Sequence, residues 1–283
     1  MYQHHWDTFQ VFQNSVLKHT QFPATPHTLA LFIVHLAQRQ LAVTTIRTYV
    51  SAVSFIHKLN SVSDPGDSFL VAKTLQGLHN QHSQQRRCPL RPITRDILYS
   101  LLDHIPMCTT SPYYTVMWTA LFQLCYHACL RVGEAVLSAN KQHTLRLDQL
   151  QLSHNQLTVK FETFKHSSHS TPALNIQPDS NPERCPITAL LRYKSLRPNI
   201  PGPFFVDHTS SPINRNAFSA FLKTVLAAAN FQPDHFNTHS FRIGRTTQLA
   251  QDNHNTETIR AVGRWKSSAY TQYIRSSSID LPK

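Results

Sequence analysis

Asn80-Gln81-His82-Ser83-Gln84-Gln85-Arg86-Arg87-Cys88-Pro89-Leu90-Arg91-Pro92 divides the 283-residue chain into two stretches with different grammar. It is polar, basic and broken by prolines, the composition of a linker. Before it, apolar residues recur at helical spacing only; after it, helical and alternating patterns are mixed. The chain is therefore expected to fold as a helical unit at 1–85, a basic linker at 86–92 and a larger mixed unit at 93–283, mainly α with a small antiparallel sheet.

In the first stretch a helix is expected over His5–Lys18. Thr25-Pro26 reads as a cap followed by proline at the first helical position, opening a helix through Gln40. Thr44 reads as the next cap, with Ile46, Tyr49, Val50, Val53 and Ile56 forming one stripe and Arg47, Ser51, Ser54 and Lys58 on other faces. Ser68–Leu78 follows the Asp64-Pro65-Gly66 break.

In the second stretch Thr94 caps a helix to His104, and Pro112–Leu130 is a long apolar helix running into Arg131-Val132-Gly133-Glu134. Leu145–Leu152, Gln156–Glu162 and Ala173–Gln177 read as strands, with Lys165 in the loop between the last two. Helices are expected over Pro186–Leu196 and Arg215–Asn230, with a short strand at Phe204–Asp207 between them.

Charge narrows the partner. The formal net charge is +12, and each side of the Arg95–Asp96 bond carries +6, so no basic tail accounts for it. Such a chain suits a polyanion, and Arg47, Lys58, Arg86, Arg87 and Arg91 are candidate contacts to DNA phosphates. The five cysteines (88, 108, 125, 129 and 185) are odd in number and show no CxxC, which fits buried thiols in a reducing compartment. Cys125 and Cys129 are read as core rather than metal ligands. No apolar run approaches a membrane span, and no GxxxxGK[ST] loop is present.

The last fifty residues carry the chemistry. His239-Ser240-Phe241-Arg242-Ile243-Gly244 puts an imidazole and a guanidinium three apart, on one face of a helix. Gly244, one turn after Ser240, allows another backbone to come close, and Gly263 reads as a helix stop. Gly263-Arg264-Trp265 adds an indole, and Ser267 or Ser268 caps a final helix carrying Tyr270 and Tyr273. A guanidinium forks two phosphate oxygens, an imidazole moves protons near neutral pH, and a phenol can attack phosphorus. Half of the six glycines (133, 244 and 263) lie within these boxes.

RVGE, HSFRIG, GRW and YIR, in this order, resemble the tyrosine recombinases, with tryptophan where many members have histidine. Within that family the pattern is similar to mobile elements of the DIRS or Crypton type, and residues 25–59 resemble the helical core-binding (SAM-like) domain that precedes the catalytic domain. The resemblance implies a site-specific recombinase or integrase working through a 3′-phosphotyrosine. It implies Arg131, Lys165, His239, Arg242, Trp265 and Tyr273 as catalytic residues, with Glu134 orienting Arg131 and Tyr270 as the rival nucleophile. No metal or other cofactor is expected, since two guanidiniums supply positive charge at the phosphate. Double-stranded DNA and a tetramer of this chain are the expected partners, with no membrane; a eukaryotic host implies the nucleus, and any other the cytoplasm. A type IB topoisomerase, a catalytically silent DNA-binding descendant and an RNA-binding protein are the alternatives. The last lacks RNP and KH motifs.

Overall fold

The computed structural model describes residues 2–83, 90–138, 143–153, 155–162 and 173–275. Contacts divide the chain into two compact units, Met1–Cys88 and Pro89–Lys283.

The first unit holds α1 (Tyr2–Phe12, continuing as a π turn over Gln13–Leu17), α2 (Pro26–Gln38), α3 (Val43–Leu59) and α4 (Phe69–Ser83). Thr25 caps α2 as expected, its side chain accepting from the Thr28 N–H with Pro26 at the first helical position. α3 departs from expectation: Ala42 is its N-cap, and Thr44 lies inside the first turn without capping it. Phe9, Phe12, Leu29, Phe32, Ile33, Ile46, Val50 and Val53 fill the core. His57 is buried among them, taking the Ala24 N–H on Nε2 at 2.9 Å, with Nδ1 2.8 Å from the Val53 carbonyl. Both nitrogens are satisfied, so this histidine is structural.

The second unit begins with α5 (Arg95–His104), capped by Thr94, whose hydroxyl accepts from the Ile97 N–H. α6 (Pro112–His127) is the central helix, buried continuously from Ala120 to Tyr126. A helix apolar on every side must be enclosed, and α8 (Pro186–Leu196) and α10 (Ser240–Gln251) pack against it. Full burial of side chains such as Leu121, Phe122 and Leu124 contributes about 1.5–3 kcal/mol each. Cys125 lies within this packing, and Cys129 is buried in a separate small cluster with Leu249, Ile259 and Trp265. The remaining helices are α7 (Val132–Ala135), α9 (Arg215–Ala228) and α11 (Thr256–Gly263), followed by a 3₁₀ turn, Ser268–Tyr273.

The sheet is antiparallel, ordered β1 (Leu150–Leu152), β2 (Leu157–Lys160), β3 (Ala173–Ile176), with Leu150 opposite Val159 and Leu157 opposite Ile176. Those four side chains are buried on one face, while Thr158 and Asn175 hydrogen-bond on the other. β1 is shorter than the expected Leu145–Leu152 because Leu147–Gln149 forms a 3₁₀ turn, and β2 and β3 are also shorter than the expected Gln156–Glu162 and Ala173–Gln177. The strand expected at Phe204–Asp207 does not form. Pro203 and Val206 make isolated bridges to Arg146 and Pro212 instead, and Phe204 and Phe205 are core residues.

Gly244 explains how the start of this unit reaches α10. The Ile93 N–H donates to the Ser240 carbonyl at 2.9 Å, and a Cβ on Gly244 would fall 1.6 Å from the Ile93 oxygen. The close backbone approach read from its spacing is made here.

Candidate active site

The site is built on helix ends. α6 stops where Cys129 turns left-handed (φ 49°), leaving the Ala128 and Cys129 carbonyls at the negative end of the helix dipole. Two guanidiniums take them. Arg242, on the first turn of α10, donates from Nη1 to the Cys129 carbonyl and from Nη2 to the Gly263 carbonyl at the end of α11. Arg264 donates from Nη1 to Ala128 at 3.1 Å and from Nη2 toward Cys129 at 3.5 Å. Arg242 is 0% exposed. Its charge is tolerated there because one side chain joins the C-termini of two helices. Among the described residues its Nε finds no acceptor.

Glu134 gathers the arginines of two boxes. It accepts the Arg131 N–H at 2.8 Å, Arg131 Nη1 at 2.9 Å and Arg264 Nη2 at 2.6 Å. Burial pushes this carboxyl's pKa up, but Arg264 and Arg131 outweigh it and hold the group below the usual carboxylate range. The guanidinium of Arg264 also lies 4.0 Å from the ring centre of Phe161, just beyond β2. The Arg131 side chain keeps 24% exposure, so it is braced without being enclosed.

Tyr273 faces this assembly. Its ring centre is 5.0 Å from those of both His239 and Trp265, and the Arg242 guanidinium carbon lies 5.5 Å from it. The same carbon stands 4.1 Å from the Trp265 ring, a cation–π contact. Gly263 makes room: a Cβ there would sit 1.6 Å from the indole. The helix stop expected at Gly263 falls one residue later, with Arg264 in the left-handed conformation (φ 55°). Tyr270 also packs by Trp265, ring centres 6.4 Å apart, but its hydroxyl donates to Thr256 at 3.4 Å. The final helix is a 3₁₀ turn, capped by Ser267.

Burial and neighbouring positive charge act together on the histidine of the site. His239 is held down to about pKa 4, first by burial and then by the charges of Arg242, Arg131 and Arg275. His127, away from the site, is held at about 3 by burial and by Arg245. Both bind protons more readily in the unfolded chain, so stability should be complete above pH ~6.5 and fall as pH drops toward the folded values. Each pH unit costs at most about 1.4 kcal/mol per histidine, and less at His239, where solvent screens part of the effect. Urea unfolding at pH 7.5 and 5.0 checks this: the midpoint should be lower at pH 5.0 in the wild type. Replacing His127 and His239 with glutamine should flatten the difference.

The other residues expected from sequence fall variously. Arg47 and Arg91 are exposed, the latter with its N–H bonded to the His235 carbonyl. Lys58 is committed to Asp64 at 3.0 Å. Lys165, Arg86 and Arg87 lie outside the described residues. Arg264 was not anticipated as a partner of Glu134; its place between Gly263 and Trp265 was the available signal.

Residues 93–278 match the model of the phage integrase family. The chain belongs to that family. Among solved structures, this integrase-family chain is similar to the XerH site-specific recombinase bound to a palindromic difH substrate, at 12% identity and TM-score 0.64. The match covers 96% of this chain and 74% of XerH. It is also similar to the Tn1549 transposon integrase in complex with transposon right-end DNA, at 13% identity and TM-score 0.65, covering 98% and 89% of the two chains. The likeness shows the fold, that of the tyrosine recombinases: a helical unit ahead of an α+β unit with a small antiparallel sheet. No curated protein sequence matches the chain.

Proposed function

We propose that this integrase-family chain cuts and rejoins double-stranded DNA through a 3′-phosphotyrosine, with Tyr273 as the nucleophile. The observation that carries the reading is the gathering of Tyr273, His239, Trp265 and Arg242 from three segments of the chain, while Tyr270 points to Thr256. The Tyr273 phenol oxygen attacks phosphorus, the P–O bond to the DNA 5′-oxygen breaks, and the ester energy is kept for rejoining. His239, neutral at pH 7 before DNA arrives, accepts the phenolic proton. Lys165 gives a proton to the departing 5′-oxygen. Arg131 and Arg242 stabilise the charge that develops on the non-bridging oxygens, and Trp265 donates to a phosphate oxygen and walls the site. For Arg242 the Nε–H and the donors left on its two Nη atoms supply the fork, since two others are spent on carbonyls. An unpaired buried N–H is costly, and a phosphate oxygen would relieve it.

The experiment is a nicked suicide duplex, from which the cleaved strand's short leaving fragment diffuses away. A covalent protein–DNA adduct is the expected result. A second reading, a silent DNA-binding descendant, is favoured by the complete enclosure of Arg242. Duplex binding without any adduct would establish it.

The helical unit is assigned to DNA contact, and a tetramer to the synapse. Arg47, exposed on α3, is the first candidate contact. Arg47→Ala should lower the log–log salt slope of binding by about 0.9. Lys58→Ala should change it less, because that ammonium is bonded to Asp64. Equal slopes for wild type and Arg47→Ala would remove α3 from the interface. Among the described residues no helix is long and apolar enough to cross a membrane.

A further inference from the structure

Tyr273 ends a short support. The 3₁₀ turn that carries it has no fully buried residue, and its packing comes from the partly buried rings of Tyr270 and Tyr273, which leaves its main chain to be fixed by hydrogen bonds. The weak closing bond of that turn, Ile274 N–H to the Thr271 carbonyl, is 3.3 Å long. The exit of the turn is held from outside, by Thr247 on α10.

The two neighbouring threonines there behave differently. Thr246 donates back to the Arg242 carbonyl at 2.7 Å, a bond within its own helix. Thr247 reaches out of the helix: its hydroxyl donates to the Tyr273 carbonyl and accepts from the Arg275 N–H, each at 3.1 Å. Thr247 is 2% exposed, so water cannot easily replace either bond. The hydroxyl therefore spans the backbone on both sides of Ile274, immediately after the phenol-bearing residue. α10 also carries Arg242 and is preceded by its N-cap, His239.

We infer that Thr247 is the positioning residue for the nucleophile. It ties the main chain of Tyr273 to the helix that supplies the guanidinium and the imidazole, so phenol, base and phosphate clamp share one reference frame. The inference rests on the assignment of Tyr273 as nucleophile. Its requirement is a group that donates and accepts at once, which serine retains and valine, of nearly the same shape, lacks.

The test uses the full chain and the nicked suicide duplex, with adduct formation followed in a single turnover at saturating DNA. Thr247→Val should slow cleavage by about ten- to a hundredfold, the loss of two buried hydrogen bonds, with duplex affinity within about twofold of wild type. Thr247→Ser should stay within about threefold. A duplex with sulfur in place of the bridging 5′-oxygen leaves as a thiolate that needs no proton, so it repairs leaving-group defects only. The Thr247→Val deficit should persist on it. Should valine prevent folding, as judged by thermal melting, Thr247→Ala gives the same comparison with less bulk. Wild-type rates in the hydroxyl-free variant would overturn the inference, as would serine failing as badly as valine, or the sulfur duplex restoring the rate. A wild-type chain that forms no adduct would instead overturn the nucleophile assignment, and this inference with it.

Discussion

Replacing Tyr273 with phenylalanine should abolish the covalent adduct, a loss of about 10⁴-fold or more, while duplex affinity stays near wild type. The phenylalanine ring keeps the contacts with His239 and Trp265, and only the attacking oxygen is removed. An ordinary tyrosine is about a thousandth ionised at pH 7, a deficit of roughly 4 kcal/mol that the cations of the site must offset. None of that apparatus acts without the oxygen. Tyr270→Phe should leave adduct formation within a few-fold, since its hydroxyl is directed to Thr256. Electrophoresis of the trapped complex under denaturing conditions decides the matter: an adduct that survives in Tyr273→Phe and vanishes in Tyr270→Phe transfers the role.

Arg242→Ala should cost the protein its fold as well as its activity, and here the two arginines part company. Removing Arg242 leaves the buried Gly263 carbonyl without its donor and the Cys129 carbonyl with only the long 3.5 Å contact from Arg264, at about 1–3 kcal/mol each. It also leaves a cavity beneath Trp265. A destabilisation of about 3–5 kcal/mol is expected. Arg131→Ala should cut cleavage by about 10²–10³-fold with a smaller loss of stability, because that side chain is partly exposed and Glu134 keeps Arg264 as its buried partner. Arg242→Lys should restore neither property, as one ammonium cannot reproduce a planar fork. Denaturant unfolding and adduct formation, measured on all three variants, separate the roles. An Arg242→Ala protein as stable as wild type would contradict the helix-joining part.

What could be read directly from the chain was what local chemistry determines. Thr25-Pro26, Thr94 and the bounds Pro186–Leu196 follow from caps and proline positions, which act over a few residues. Phe204–Asp207 was misread because a β-forming run becomes a strand only where a partner is available, and here the neighbours offer single bridges. The stop at Gly263 was misplaced for a related reason. That glycine serves the Trp265 ring, a contact invisible to a rule about helix ends, and Arg264 bears the left-handed turn. In the site, side chains able to do phosphate chemistry stood out by type and spacing. The groups that hold them did not: Arg264 and Thr247 act through backbone carbonyls and one buried carboxylate, and such partners are chosen by the tertiary structure.

The way Arg242 joins α6 to α11 bears on how such sequences decay. Selection for a folded, DNA-binding protein alone would preserve that arginine, because two helix ends depend on it. The same selection would be nearly indifferent to the hydroxyl of a partly buried tyrosine on a short turn. Copies that have lost their chemistry should therefore keep the guanidinium long after the phenol has drifted to phenylalanine or histidine. An intact arginine box in a descendant testifies to its architecture; only the tyrosine testifies to its trade.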